Sequence, residues 1–247
     1  MWPYPRILGH RGGGKLAPEN TMAGFRLALS MGFRGVEFDV ALSRDGVPVV
    51  MHDPHLGRTV AGSGSVFDFD AAELTRLDAG SWFGKAYEAE TVPLFTAVAS
   101  FCKQHGVWMN VEIKPAPGHD VATGRVVAEL TRSMFGAEIA AGHLPAIPLL
   151  SSFSMAALEA AQTAAPDVPR ACLFDVIPPD WKQIATRLGA VAIHTNQKNL
   201  TPDMVKSIKA AGFGMFCYTV NEPVRAQEIF GWGVDGLCTD RLDLIGP

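Results

Sequence analysis

No run of about 18 consecutive apolar residues occurs in the chain, and its absence excludes a membrane-spanning helix of ordinary length. Cysteine is sparse. Cys102, Cys172, Cys217 and Cys238 sit singly in apolar segments, without the paired spacing of a zinc site or a disulfide framework, and are expected to be reduced core residues. There is also no basic block: the 21 Lys and Arg are spread along a chain of net charge −4, which argues against a nucleic-acid partner. The opening residues, Met1-Trp2-Pro3-Tyr4-Pro5-Arg6, lack a positive region followed by an apolar stretch, so a cytoplasmic location is expected. Charged residues make up only 19% against 48% hydrophobic, an ordinary balance that excludes both disorder and a fibrous repeat.

What is present is a rhythm. From residue 94 onward, amphipathic helical stretches ending near Gly or Pro alternate with short apolar strands that end in polar residues, the pattern of repeated βα units around a parallel sheet. Strands are expected at Ile7–His10, Gly35–Asp39, Trp108–Lys114, Pro148–Phe153, Ala171–Asp175, Ala190–His194, Gly214–Thr219 and Gly236–Asp240. Helices are expected near Thr21–Met31, Leu94–His105, Val121–Met134, Met155–Ala165, Trp181–Arg187, Pro202–Ala211 and Pro223–Trp232, with Ser154, Thr201 and Asn221 as caps. Eight strands in 247 residues, close to the roughly 250 typical of the class, favour an α/β fold made of a single (β/α)8 TIM-type barrel over a doubly wound open sheet.

One segment breaks the rhythm. Pro48–Asp53 follows the second strand too closely for a crossover helix, and Asp45-Gly46 is a strong hairpin signal, so Pro48–Asp53 should return antiparallel. A two-residue loop would pair Asp39 with His52, and a three-residue loop would shift that register by one. Residues 54–93 then read as a small insertion over one mouth of the barrel, Gly-rich at Ala61–Ser65 and with a short helix at Ala71–Leu77, within a single domain spanning 1–247.

Polar residues gather at the predicted strand ends. Glu37 and Asp39 are two apart and share one face of their strand, and Glu112 and Lys114 do the same on the next parallel strand. Three converging carboxylates suit a hard cation, Mg²⁺ or Ca²⁺, and not a thiolate-seeking metal; the plainer reading is a set of buried ion pairs that only tie strands together. His10 and Arg11 end the first strand before Gly12-Gly13-Gly14, offering a proton-exchanging group and a planar fork suited to phosphate. His52 returns beside the proposed metal ligands.

Taken together, His10-Arg11-Gly12, Pro18-Glu19-Asn20-Thr21, Glu37-Phe38-Asp39, His52-Asp53 and Glu112-Ile113-Lys114 resemble the ordered motifs of glycerophosphodiester phosphodiesterases. Ser152-Phe153, Tyr218-Thr219-Val220-Asn221 and Asp235-Gly236 continue the resemblance to the last strand. It implies Glu37, Asp39 and Glu112 as ligands of one divalent cation, His10 and His52 as catalytic acid and base, and Arg11 and Lys114 as phosphate contacts. Glu19 and Asn20 match an active-site loop; otherwise they only begin the first helix, with Asn20 as its cap. Phe153 and Tyr218 are expected to line the substrate pocket, Tyr218 standing where the family often has Trp. The implied activity is metal-dependent hydrolysis of small glycerophosphodiesters, such as glycerophosphocholine or glycerophosphoethanolamine, to glycerol 3-phosphate and an alcohol. A phospholipase acting on intact lipids, a barrel that binds phosphodiesters without turnover and a sugar-cleaving barrel are the competing readings. His194 ends a strand and is expected to play a structural hydrogen-bonding part.

Overall fold

A computed structural model describes residues 2–247. Among these residues the strands are β1 (Ile7–Gly9), β2 (Gly35–Leu42), β3 (Pro48–Val50), β4 (Trp108–Ile113), β5 (Leu149–Ser152), β6 (Arg170–Phe174), β7 (Ala192–Asn196), β8 (Gly214–Tyr218) and β9 (Gly236–Thr239). Eight of them run parallel, and β1 pairs with both β2 and β9, which closes the sheet into a barrel. The expected β/α barrel is thus the observed fold. Strand β7 begins two residues later than its apolar run suggested: the Ala190 N–H closes back on the Ala185 carbonyl of the preceding helix, and Val191, bonded to Arg170 and Gly214, leads into the strand.

The helices are α1 (Met22–Ser30), α2 (Ala71–Leu74), α3 (Phe95–His105), α4 (Asp120–Met134), α5 (Gly136–Ala140), α6 (Met155–Ala164), α7 (Trp181–Arg187), α8 (Pro202–Ala210) and α9 (Pro223–Gly231). Ser154 caps α6 by accepting from the Ala157 N–H, and Thr201 caps α8 by accepting from the Met204 N–H. Asn221 does not cap α9; its side chain turns to Asp240 instead. Helices α4 and α6 pack against each other so closely that Gly124 has no room for a Cβ, which would lie 2.1 Å from the Ala157 carbonyl oxygen.

The hairpin takes the longer of its two loops. Ser43 pairs with Val47 around Arg44-Asp45-Gly46, with Gly46 at φ +76°, so Asp39 lies opposite Met51 and not His52. This puts Val49 and Met51 into a second small core with Val60, Leu74 and Val92, which seats the 54–93 segment on the barrel. The short helix there stops at Leu74, three residues before the expected end, and Arg44 reaches across to Asp70 and Glu73 beside it.

Alternation along the strands sorts their inward side chains by height. At the N-terminal end of the barrel, Tyr4, Leu8, Trp108, Leu149, Phe216 and neighbouring alanines form a plug, with Tyr4 stacked on Trp108 at 4.3 Å between centroids. Higher on the same strands the inward residues become polar. Strand β4 shows the whole progression, Trp108, Asn110, Glu112 and then Lys114 just past its end.

Candidate active site

Glu37 and Asp39 on β2 and Glu112 on β4 meet at the C-terminal mouth. They are 5%, 1% and 8% exposed, and each offers a carboxylate oxygen within 4.8 Å of the others. The pairing of Asp39 with Glu112 sets two of them side by side across the strands. Burial, then repulsion from Asp39 and Glu112, pushes the Glu37 carboxyl well above its ordinary pKa. Burial and Asp39 lift Glu112 to about 7. Asp39 goes the other way, because Lys114, Arg11, His52 and the Asn20 amide outweigh its burial. Three clustered carboxyls, two of them reluctant to ionise, are an oxygen-only donor set, which fits a hard divalent cation.

Two cations flank this cluster. Lys114 Nζ stands 3.4 Å from Asp39 and 3.5 Å from Glu112, and Arg11 Nε stands 3.6 Å from Asp39. Arg11 adopts φ +50°, a left-handed conformation unusual for a side-chain-bearing residue, while its N–H donates to Glu37. The turn that follows is held by contacts only glycine permits. A Cβ on Gly14 would meet the Asp240 carbonyl oxygen at 2.4 Å.

Each of the two motif histidines is gripped at Nδ1 by a carboxylate. His10 Nδ1 lies 2.6 Å from Asp240, with Nε2 3.8 Å from Glu37. Asp240 is itself held by Asn221, whose amide donates to its carboxylate and accepts from its N–H. Burial raises the pKa of Asp240, but its bonds with His10 and Asn221 prevail and bring it to about 2. His52 Nδ1 lies 2.7 Å from Asp53, and burial shifts the imidazole below its ordinary pKa. His10, Arg11, Glu37, His52, Glu112, Lys114, Phe153 and Tyr218 all line one cavity of about 210 Å³. Phe153 stands at its rim, 46% exposed and edge-on to Tyr218, whose hydroxyl donates to the Phe174 carbonyl.

Asn20 is not a helix cap. Thr21 caps α1, and buried Asn20, at φ +58°, donates to Asp39. Glu19 binds Arg11 at 2.8 Å and also accepts two bonds from Arg58. Asp240 and Arg58 were given no part by sequence reasoning, Asn221 only that of a helix cap and a motif position, and Asp53 only a place in the His52-Asp53 motif. A polar residue at the end of a barrel strand was the available sign for Asp240; Arg58, in a loop of the insertion, carried none. His194 is buried, makes no side-chain hydrogen bond and lies against Phe216 with ring centroids 4.7 Å apart, so the expected hydrogen-bonding part is not seen.

Residues 10–244 match the model of the glycerophosphoryl diester phosphodiesterase family. A glycerophosphodiester phosphodiesterase of Caldanaerobacter subterraneus subsp. tengcongensis is 31% identical over 238 residues, covering 95% of this chain and 93% of that protein. One from Bacillus altitudinis is 32% identical, covering 96% and 95%. Among solved structures, an Oleispira antarctica phosphodiesterase in complex with the product sn-glycerol-3-phosphate superimposes with a TM-score of 0.87 at 34% identity, covering 96% of this chain and 93% of that one. The family match spans nearly the whole barrel, residues 10–244, and the chain belongs to the glycerophosphoryl diester phosphodiesterase family.

Proposed function

We propose that this phosphodiesterase hydrolyses small deacylated glycerophosphodiesters, such as glycerophosphocholine and glycerophosphoethanolamine, to glycerol 3-phosphate and the free alcohol. The observation that carries the reading is one cavity ringed by three buried carboxylates, two Nδ1-anchored histidines and two cations. Glu37, Asp39 and Glu112 would hold one divalent cation, Mg²⁺ or Ca²⁺, which when bound supplies positive charge for a phosphoryl oxygen. Arg11 and Lys114 face the phosphate and offset the charge that builds on it as the P–O bond to the alcohol breaks. Because Asp240 and Asp53 occupy Nδ1, His10 and His52 each turn Nε2 to the substrate. One takes the proton of the nucleophile, either water or a neighbouring hydroxyl of the substrate whose cyclic phosphate water then opens, and the other returns a proton to the departing oxygen. Phe153 and Tyr218 form the apolar wall, and Glu19 and Asn20 support Arg11 and Asp39 from behind.

The whole chain acts as one catalytic domain in the cytoplasm, a location consistent with four buried, unpaired cysteines. No helix among the described residues is long and apolar enough to cross a membrane. Most of the residues that line the cavity are charged or polar, which supports a soluble diester over an intact lipid. The test is release of glycerol 3-phosphate from several glycerophosphodiesters and from a phosphatidylcholine dispersion, with and without chelator. Chelation should abolish turnover, and Mg²⁺ or Ca²⁺ should restore it. Faster cleavage of the intact lipid would move the assignment to a phospholipase, and full activity without metal would remove the cation from the mechanism.

A further inference from the structure

We infer that Arg58, in the insertion, is a positioning residue for the phosphate-binding and proton-transfer groups at once. Its guanidinium makes three bonds to two carboxylates. Nη1 and Nη2 take both oxygens of Glu19, at 2.9 and 2.7 Å, and Nε takes Asp53 Oδ2 at 2.5 Å. Each carboxylate turns its remaining capacity inward: Glu19 Oε1 also accepts from Arg11, and Asp53 Oδ1 holds His52 Nδ1. One planar fork therefore stands a single residue away from both the phosphate contact Arg11 and the proton carrier His52. Only an arginine presents donors in that geometry.

The loop that carries Arg58 is itself anchored. Thr59 and Val60 on its C-terminal side are buried, Val60 in the small core with Val49 and Met51, and the Gly57 N–H donates to the Val60 carbonyl. The clamp is consequently a rigid link between the insertion and the barrel mouth, although the Arg58 side chain remains half exposed.

Charge gives the link its consequence. With Arg58 present, the set Arg11, Arg58, Glu19 and Asp53 is formally neutral. Without it, Glu19 and Asp53 leave one net negative charge beside the place where an anionic diester must bind. Glu19 would also be free to close both oxygens on Arg11, and Asp53 would lose the contact that fixes its angle to His52. Loss of Arg58 should weaken anion binding through charge and lower turnover through position.

This inference rests on the assignment of Arg11 and His52 above, and the experiment separates the two. Arg58→Ala, Arg58→Lys and, as a control, Arg44→Ala are compared for glycerol 3-phosphate affinity by calorimetry and for kcat on glycerophosphocholine. Arg44 pairs with Asp70 and Glu73 in the same insertion but touches neither carboxylate of the clamp. Arg58→Ala should lose about 10–100-fold in both quantities, the range typical when a partner that orients an active-site ligand is removed. Arg58→Lys should recover affinity but not kcat, because an ammonium restores the charge without the fork. Arg44→Ala should match the wild type. Equal affinity in the wild type and Arg58→Ala, full recovery of kcat by Arg58→Lys, or an equal loss in Arg44→Ala would each overturn the clamp. Absence of diester cleavage by the wild type would instead overturn the catalytic assignment, while the affinity comparison still decides the clamp.

Discussion

The two ends of the barrel are built on the same strands and held together by opposite means. At the N-terminal end, apolar side chains fill the interior, and Trp108 both stacks on Tyr4 and donates to the Ile147 carbonyl. At the C-terminal end, burial works against the residues present: Glu37 and Glu112 ionise reluctantly, and the site persists through hydrogen bonds and opposed charges. The lesson is a division of labour along each strand. Folding free energy comes from apolar burial, in the plug and in the larger layers between strands and helices, and that surplus holds a mouth that would not assemble on its own packing.

The sharpest way to probe this division is at the mouth. Replacing His10 or His52 by Ala should lower kcat by roughly 10²–10⁴ while the denaturation midpoint stays near that of the wild type. A folded variant with an unchanged rate would release that histidine from proton transfer. An effect of comparable free energy, but on stability and not on rate, is expected from Trp108→Ala. It should cost about 3–5 kcal/mol in chemical denaturation, as large aromatic truncations in cores do, and leave kcat of the folded fraction within about twofold. Turnover that fell in step with stability would mean the two ends are not separable.

The smallest effect lies between the ends, at His194. Burial holds its imidazole neutral, with the pKa pushed down from 6.5 to about 3. The unfolded chain therefore takes up the proton first, and this residue's contribution to stability falls as the pH drops below 6.5 toward 3. Between pH 7 and pH 4.5 the loss is about 2–3 kcal/mol. His194→Leu should flatten that limb in denaturation curves measured across the interval. Parallel pH profiles for the variant and the wild type would show that the ring finds a partner that stabilises its charge.

The same division explains what could be read in advance. Period-two alternation and strand-end polarity marked the barrel and the acidic cluster, because Glu37, Asp39 and Glu112 each sit where an apolar strand meets the mouth. Contacts between distant segments were less visible. Asn221 looks like a helix cap by its position before Pro223, yet Asp240 outcompetes the free N–H groups of α9 for it. Nothing local separates a two-residue from a three-residue turn at Asp45-Gly46. The register was decided by the apolar seat that Val49 and Met51 find beneath the insertion. Arg58 was silent for the same reason, since the carboxylate that takes two of its three bonds, Glu19, comes from a distant segment of the chain.

The bond between His10 and Asp240 spans 230 positions of sequence and exists only where β1 and β9 lie side by side. Long-range closure of this kind is slow relative to local helix formation, because the loop entropy of the whole chain must be met before the contact contributes. Catalytic competence is thus tied to the final seam of the ring. During refolding, helical signal should return before turnover does, so the reaction itself serves as a clock for the moment the barrel closes.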